Sequence, residues 1–262
     1  MDLIKMIQAD LLGVEIYKSR DSMGKKAGGD IAACIRELLE EQEEINIIFA
    51  AAPSQNEVLE YLVAAKEIDW KRINAFHMDE YVGLSYGAPQ RFGNYLKERI
   101  FSRLPFRSVS YLDGNAADLE AECARYAGLL RTHPVHIVCM VIGENGHIAF
   151  NDPPVADFHD SRMVKVVELD SICRQQQVND GCFAAFDEVP KKALTLTVPT
   201  LMNGQYLFCC APSHTKAVAV KEMVTGTISE GCPATILRTH KNARLYCDSD
   251  SAKYLLKSQI SV

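Results

Sequence analysis

Two short segments of this chain concentrate residues that can transfer protons. In the first, an apolar run ends at Gly143 and Gly146, and His147 follows directly. Imidazole titrates near neutral pH, so a histidine held at the end of such a run can both give and take a proton. It also needs an acceptor on its second ring nitrogen, and Glu144 and Asp152 are both near enough in sequence. This segment therefore predicts an acid/base histidine.

The second segment places two carboxylates, Asp79 and Glu80, directly after an apolar run at residues 72–78. Neighbouring side chains point to opposite sides of an extended chain, so the two acids should not share a role. We expect at least one of them to be a general base. Both apolar runs are predicted strands of a parallel sheet, in which ligands bind at the carboxyl ends. Asp79 and His147 should therefore lie on the same rim.

Strands and helices alternate along the chain, which predicts a single α/β domain over residues 1–262. The predicted fold is a modified doubly wound, Rossmann-like, mostly parallel sheet with helices on both faces. Predicted strands are residues 14–18, 44–50, 72–78, 108–112, 133–143, 163–168, 193–198, 206–210 and 243–247. Predicted helices are residues 19–43, interrupted by Gly24, Gly28 and Gly29, then 55–66, 89–104, 117–131, 171–178, 213–224, 234–239 and 250–257. Ser54, with Glu57 in a capping box, and Ser213 are the expected amino-terminal caps of two of these helices.

Composition narrows the class of protein. The 262 residues suit one domain with a large core, and the net charge of -6 provides no broad basic surface for nucleic acid or membrane lipid. Nine cysteines without paired spacing and the lack of a signal peptide indicate reduced thiols in the cytoplasm. No Cys/His cluster has zinc spacing, so no metal is expected, and no apolar run is long enough to cross a membrane.

These segments are similar to motifs of the glucosamine-6-phosphate deaminase (isomerase) family, which shares its fold with 6-phosphogluconolactonases. The matching residues are Phe76 and MDEYVGL at 78–84, GHIAFN at 146–151 followed by Asp152, VPKKALTLT at 189–197 with Thr200 and Leu201, and Lys216 with Ala217. They follow the family's order over essentially the whole domain. The resemblance implies a cofactor-free enzyme, a hydrolase acting on an amino-sugar phosphate, which converts glucosamine 6-phosphate and water to fructose 6-phosphate and ammonia.

The resemblance also implies roles for individual residues. Asp79 matches the base that moves a proton between C2 and C1 of the opened sugar, and His147 matches the acid/base that opens the pyranose ring. Asp152 stands where the family has a glutamate that orients this histidine. Lys216 matches a lysine that contacts the substrate phosphate. For Glu80, position alone suggests support of the site through hydrogen bonds.

One departure concerns the histidine. The family usually has an aspartate immediately before the Gly146-His147 pair, whereas this chain has Asn145, which cannot carry charge. An amide stabilises imidazolium less than a carboxylate, so His147 should be a weaker base than in its relatives, unless Glu144 compensates. In having Asn at this position, the chain resembles members of the family that are assigned to galactosamine 6-phosphate. A galactosamine-6-phosphate deaminase is therefore an alternative.

A second departure concerns the phosphate. Relatives carry a Thr-Gly-Gly-Thr type loop where this chain has Ala-Ala-Ala-Pro at 50–53, so Ser54 and Gln55, at the start of the following helix, are the expected phosphate contacts. Relatives also use an arginine that aligns with Gly181 or Cys182 here. Arg174 is the nearest substitute.

Two further alternatives use the same scaffold. A 6-phosphogluconolactonase usually carries Asp-Glu-Arg where this chain has Asp79, Glu80 and Tyr81, which ranks that activity behind the deaminase. A non-catalytic sugar-phosphate sensor would keep the pocket and lose the chemistry, but it would have no need of both Asp79 and His147. The expected partner is a small sugar phosphate, and a homo-oligomer is compatible with the sequence.

Overall fold

The computed structural model describes residues 2–257, which form an eight-stranded open sheet, a second small sheet and surrounding helices. The strands are β1 (Leu3–Ala9), β2 (Leu12–Tyr17), β3 (Ile45–Phe49), β4 (Ile73–His77), β5 (Asp79–Tyr81), β6 (Ser108–Ser110), β7 (Ile137–Val141), β8 (Val164–Glu168), β9 (Lys192–Leu196), β10 (Tyr206–Ala211) and β11 (Ala243–Asp248). The helices are α1 (Arg20–Glu41), α2 (Asn56–Ala64), α3 (Phe92–Leu96), α4 (Leu119–Thr132), α5 (Ser171–Asn179), α6 (Val198–Met202), α7 (Ala217–Thr225) and α8 (Lys253–Lys257).

The large sheet confirms the predicted modified doubly wound fold. Its order is β1-β2-β11-β10-β7-β3-β4-β6, and every pair except β1–β2 is parallel. Strand β7 lies in the middle and is covered on both faces. Ile137 and Cys139 pack into the core beneath α1 and α2, while Val138 and Met140 pack into the core on the opposite face. All four are fully buried, and covering both faces explains the unbroken apolar run in the sequence.

A second, antiparallel sheet corrects the prediction that all strands join one sheet. Its order is β5-β9-β8, and it contains the predicted strands at 163–168 and 193–198. Helix α5 lies in the connection between β8 and β9. Alternation of strand and helix in sequence does not distinguish such a connection from a parallel crossover, because both contain one helix between two strands.

The predicted interruption of the first helix is wrong, since α1 runs unbroken from Arg20 to Glu41. Its glycines instead permit close contact with α2. A Cβ atom on Gly28 would lie 2.7 Å from Cβ of Tyr61, and one on Gly24 would lie 2.3 Å from Cβ of Glu57.

Two predicted helix caps are also wrong, and one strand was missed. Ser54 lies inside a 3-10 turn, Pro53–Gln55, and its side chain caps no helix. Ser213 precedes a second 3-10 turn with a positive φ of 84° and makes no capping hydrogen bond. Strand β1 pairs with β2 at the sheet edge, where Leu3, Ile4 and Met6 are exposed and break the alternating pattern that predicts a strand. Within residues 2–257, no helix combines the length and the apolar character needed to span a bilayer.

Candidate active site

A narrow cleft of about 60 Å³ opens at the carboxyl ends of β3, β4 and β7. Both segments singled out in the sequence contribute to it, because Asp79 and His147 line the same cleft. Lys216, which follows β10, and Gln176 of α5 line it as well. The expected convergence of carboxylate and imidazole on one rim is therefore observed.

Asp79 begins β5 and is 7% exposed. Burial, and after it the charge of Glu80, raise the pKa of Asp79 well above its usual value. Its backbone carbonyl lies 2.8 Å from Nδ1 of His77, a fully buried ring whose Nε2 accepts a hydrogen bond from the amide of Leu112. Burial lowers the pKa of His77 to about 4, so this histidine is neutral and donates from Nδ1 to Asp79. It thereby fixes the backbone that carries the acid.

Glu80 points to the other side of β5, as its position next to Asp79 requires. Its carboxylate accepts hydrogen bonds from the amides of Tyr81, Phe92 and Gly93 at 2.9–3.0 Å, and Nε of Arg91 lies 3.7 Å away. Burial nevertheless raises the pKa of Glu80. Glu80 thus anchors the start of α3 and does not line the cleft.

His147 is held by two side chains at one ring nitrogen. Its Nδ1 lies 2.8 Å from Oδ1 of Asn145 and 3.0 Å from Oδ1 of Asp152. Asn145 bridges the pair, because its Nδ2 donates to the same Asp152 oxygen at 3.0 Å. Burial alone would raise the pKa of Asp152, but hydrogen bonds and charge from His147 and the bond from Asn145 outweigh it and lower that pKa. This arrangement places the Nδ1 proton between the two acceptors and leaves Nε2 for the cleft.

Glycine is required beside this histidine. A Cβ atom on Gly143 would lie 2.1 Å from the His147 ring, and Gly146 has a φ of +81°. The expected assistance from Glu144 is not observed. Within residues 2–257 its side chain forms no hydrogen bond with His147, and its backbone amide donates to Oε1 of Gln176 at 2.8 Å.

Strand β9 joins the two halves of the site. Thr195 pairs with Asp79 in the small sheet, and its Oγ1 accepts a hydrogen bond from the amide of Phe150 at 3.1 Å. The next residue, Leu196, accepts from Nδ2 of Asn151 at 2.9 Å. One strand therefore fixes both the acid and the loop that carries His147.

The expected phosphate contacts are only partly brought together. Ser54 and Lys216 line the cleft, and Lys216 is 3% exposed. Gln55 does not reach it, because its Nε2 donates to the carbonyl of Met140 at 2.8 Å. Arg174 is also directed elsewhere.

The guanidinium of Arg174 is occupied by the segment before β9. It donates to the carbonyls of Phe186 and Val189 at 2.8–3.2 Å, and its Cζ lies 4.0 Å from the centre of the Phe186 ring. These contacts fix the β8–β9 connection, and among residues 2–257 the side chains that line the cleft do not include Arg174.

Sequence reasoning missed four lining residues that this connection supplies. They are Gln176, Gln177, Asp180 and Cys182. The sequence signal available was that the phosphate-binding arginine of relatives aligns with Gly181 or Cys182. This alignment marks the segment as close to the substrate.

One cluster near the site has atoms that a metal ion could use. Ligand atoms of His147, Asp152 and Cys173 lie within 4.8 Å of one another, and all three residues are buried. The bonds of Nδ1 to Asn145 and Asp152 already account for the orientation of the imidazole.

An open α/β sheet that brings a buried carboxylate and an oriented imidazole into one cleft defines an acid/base enzyme of the doubly wound class. The chain belongs to the family of glucosamine-6-phosphate isomerases and 6-phosphogluconolactonases, whose model matches residues 18–246.

The chain is also similar to individual glucosamine-6-phosphate deaminases. The chain is 34% identical over 212 residues to a glucosamine-6-phosphate deaminase of Listeria innocua, covering 81% of this chain and 88% of that protein. It is 36% identical over 189 residues to one of Bacillus cytotoxicus, covering 72% of this chain and 70% of that protein. A solved monomeric glucosamine-6-phosphate deaminase superposes with a TM-score of 0.83 at 29% identity, covering 92% and 98% of the two chains.

The 6-phosphogluconolactonases share the fold at lower identity. The enzyme from Thermotoga maritima has a TM-score of 0.73 and 21% identity over 90% of this chain and 99% of that one. This similarity extends to the fold alone.

Proposed function

We propose that this protein is a glucosamine-6-phosphate deaminase, which isomerises the amino sugar and releases ammonia. The observation that carries the proposal is the shared cleft of Asp79 and the Asn145–His147–Asp152 group, in a chain of this family.

His147 opens the sugar ring. Its protonated Nε2 gives a proton to the ring oxygen, while Asp152 and Asn145 hold Nδ1 and stabilise the cation. Lys216 attracts the phosphate at the other end of the substrate. Glu80 supports the site indirectly through its bonds to the start of α3.

Asp79, ionised, then removes the proton from C2 and returns it to C1. The enolamine formed in the first step becomes an iminium at C2 after the second. Water adds to C2 and the carbon–nitrogen bond breaks, which leaves a ketose 6-phosphate and ammonia. The net reaction is hydrolytic loss of the amine.

The free state of all nine cysteines fits a cytoplasmic enzyme.

The direct test is ammonia release from glucosamine 6-phosphate by the wild type and by Asp79→Asn. We expect the substitution to reduce turnover by at least about 10²- to 10⁴-fold, while the dissociation constant for the substrate changes little. C2 proton exchange with solvent at the wild-type rate in Asp79→Asn would refute the assignment of the base. Thermal stabilisation by glucosamine 6-phosphate without any ammonia would instead identify a sensor.

The epimer at C4 is tested in parallel. Asn145 in place of the family's aspartate keeps galactosamine 6-phosphate as the second candidate substrate. Both amino sugars are offered separately, and ammonia and the resulting ketose are measured. A higher kcat/KM with galactosamine 6-phosphate would replace the first proposal by the second.

A further inference from the structure

The end of the cleft that holds Lys216 has little net positive charge. Among the residues that line the cleft, Lys216 is the single Lys or Arg, and Asp180 lies in the same lining. Oδ2 of Asp180 accepts a hydrogen bond from Nε2 of Gln176 at 3.2 Å, which orients the carboxylate.

A second acid, Glu144, lies in the loop after β7. Glu144 is half-buried, and its Oε1 has no hydrogen-bond partner within residues 2–257. Burial lowers the pKa of Lys216, and the negative charges of Asp180 and Glu144 oppose this effect. The charges of both carboxylates therefore act on Lys216 before any substrate arrives.

Two residues of the turn beside the cleft offer it no backbone donor. In the turn at Pro53–Gln55, proline has no amide hydrogen and the amide of Gln55 is bonded to the carbonyl of Ala52 at 2.9 Å. The guanidinium of Arg174 is bonded elsewhere. A doubly charged phosphate usually requires several such donors or cations.

We propose that Asp180 is a specificity-determining residue, which makes this end of the cleft favour a C6 substituent with one negative charge over a dianion. The inference rests on the proposed function for the orientation of the sugar. A phosphate monoester has its second pKa near 6, so it is mostly dianionic at pH 8. Asp180 repels the second charge, while Lys216 attracts the first.

A sulfate ester provides the matched ligand, because it has the shape of the phosphate ester and carries one negative charge at every pH used. Dissociation constants of glucosamine 6-sulfate and glucosamine 6-phosphate are measured by calorimetry at pH 5.5 and pH 8. An Asp79→Asn background prevents turnover. Other titratable groups around the cleft, namely His147, Glu144, Cys182 and Lys216, act on both ligands, so the effect of Asp180 is read by comparing the ratio of the two constants in parent and variant at the same pH.

At pH 8 we expect the parent protein to bind the sulfate more tightly than the phosphate. Asp180→Asn should shift the ratio roughly three- to tenfold towards the phosphate, and Asp180→Lys should shift it further. At pH 5.5, where the phosphate is mostly a monoanion, the ratio should lie near one in all variants. Asp187→Asn removes an exposed acid from the same connection outside the cleft and should leave the ratio unchanged.

A ratio at pH 8 that is the same in Asp180→Asn as in the parent would overturn the proposal. So would tighter binding of the phosphate than of the sulfate by the parent at that pH. Failure of the deaminase proposal is a separate outcome, since it is read as absent ammonia release in the wild type.

Discussion

At the scale of single residues, Asp79 combines two opposing requirements. A general base must be ionised, yet burial and the charge of Glu80 raise the pKa of this carboxyl. We therefore expect kcat/KM to fall as the pH decreases through a pKa well above that of an ordinary aspartate. A pH–rate profile measures it, and an acid limb in the ordinary aspartate range would contradict the prediction.

The same shift has a consequence for stability. The folded state binds the Asp79 proton more tightly than the unfolded chain, so this contribution is complete at low pH and is lost as pH rises through the folded pKa. Asp79→Asn does not titrate. It should unfold at higher urea concentration than the wild type at pH 8, with the difference disappearing near pH 4.

Asn145 is the residue at which the structure explains a departure from the family. Its amide accepts from Nδ1 of His147 and donates to Asp152, which no ionised carboxylate can do. Asn145→Asp places two carboxylates about 3 Å apart. We expect the free energy of unfolding to drop by about 1–3 kcal/mol at pH 8 and by less at pH 5, where one of them can hold a proton. Equal losses at the two pH values would show that charge is not the cause.

At the scale of secondary-structure elements, β9 connects the acid to the imidazole. Thr195→Val keeps the shape of the side chain but leaves the buried amide of Phe150 without its acceptor. We expect kcat to decrease roughly tenfold with KM changed by less than about twofold, because the loop of His147 shifts while the phosphate end does not. Thr195→Ser should restore most of kcat. A lowered kcat in the serine variant would indicate a packing effect instead.

The contact between α1 and α2 gives a prediction about folding alone. Gly28→Ala would place Cβ within 2.7 Å of Tyr61, so we expect a loss of about 1–3 kcal/mol in the free energy of unfolding. Gly128→Ala in α4 is the matched control, since its Cβ would meet no atom of residues 2–257 within 4 Å. That variant should be stabilised by about 0.4–1 kcal/mol. Urea denaturation of both distinguishes close packing from helix propensity.

The elements also show what the sequence determines. Continuous apolar runs predicted β3, β4 and β7 correctly, since burial on both faces leaves a strong pattern. Strand β1 was missed because its exposed apolar residues break the alternating pattern. The predicted caps at Ser54 and Ser213 were wrong because 3-10 turns occupy these positions. The side chain of Gln55 is held by the carbonyl of Met140, which is distant in sequence. The side chain of Arg174 is held by the carbonyl of Val189, which follows an irregular segment. Neither contact could be read from the local sequence.

At the scale of the whole molecule, the cleft depends on the β8–β9 connection, because that connection supplies part of its lining. A volume of about 60 Å³ holds only a few water molecules. A hexosamine phosphate is much larger, and the connection at residues 169–191 supplies part of the lining, so we expect this connection to adjust when substrate binds. The bond between the amide of Glu144 and Gln176 joins this connection to the His147 loop.

The base of the connection is closed by the amide of Leu169, which donates to the carbonyl of Lys191 at 2.8 Å, and by the pairing of β8 with β9. A single protease cut at the exposed residues Asn179 or Asp180 should therefore leave two fragments that co-elute in native gel filtration and separate only in denaturant. Such a nicked enzyme would keep its far-ultraviolet circular dichroism and lose most of its affinity for the sugar phosphate, because covalent continuity at this point serves ligand capture and contributes little to the architecture beneath it.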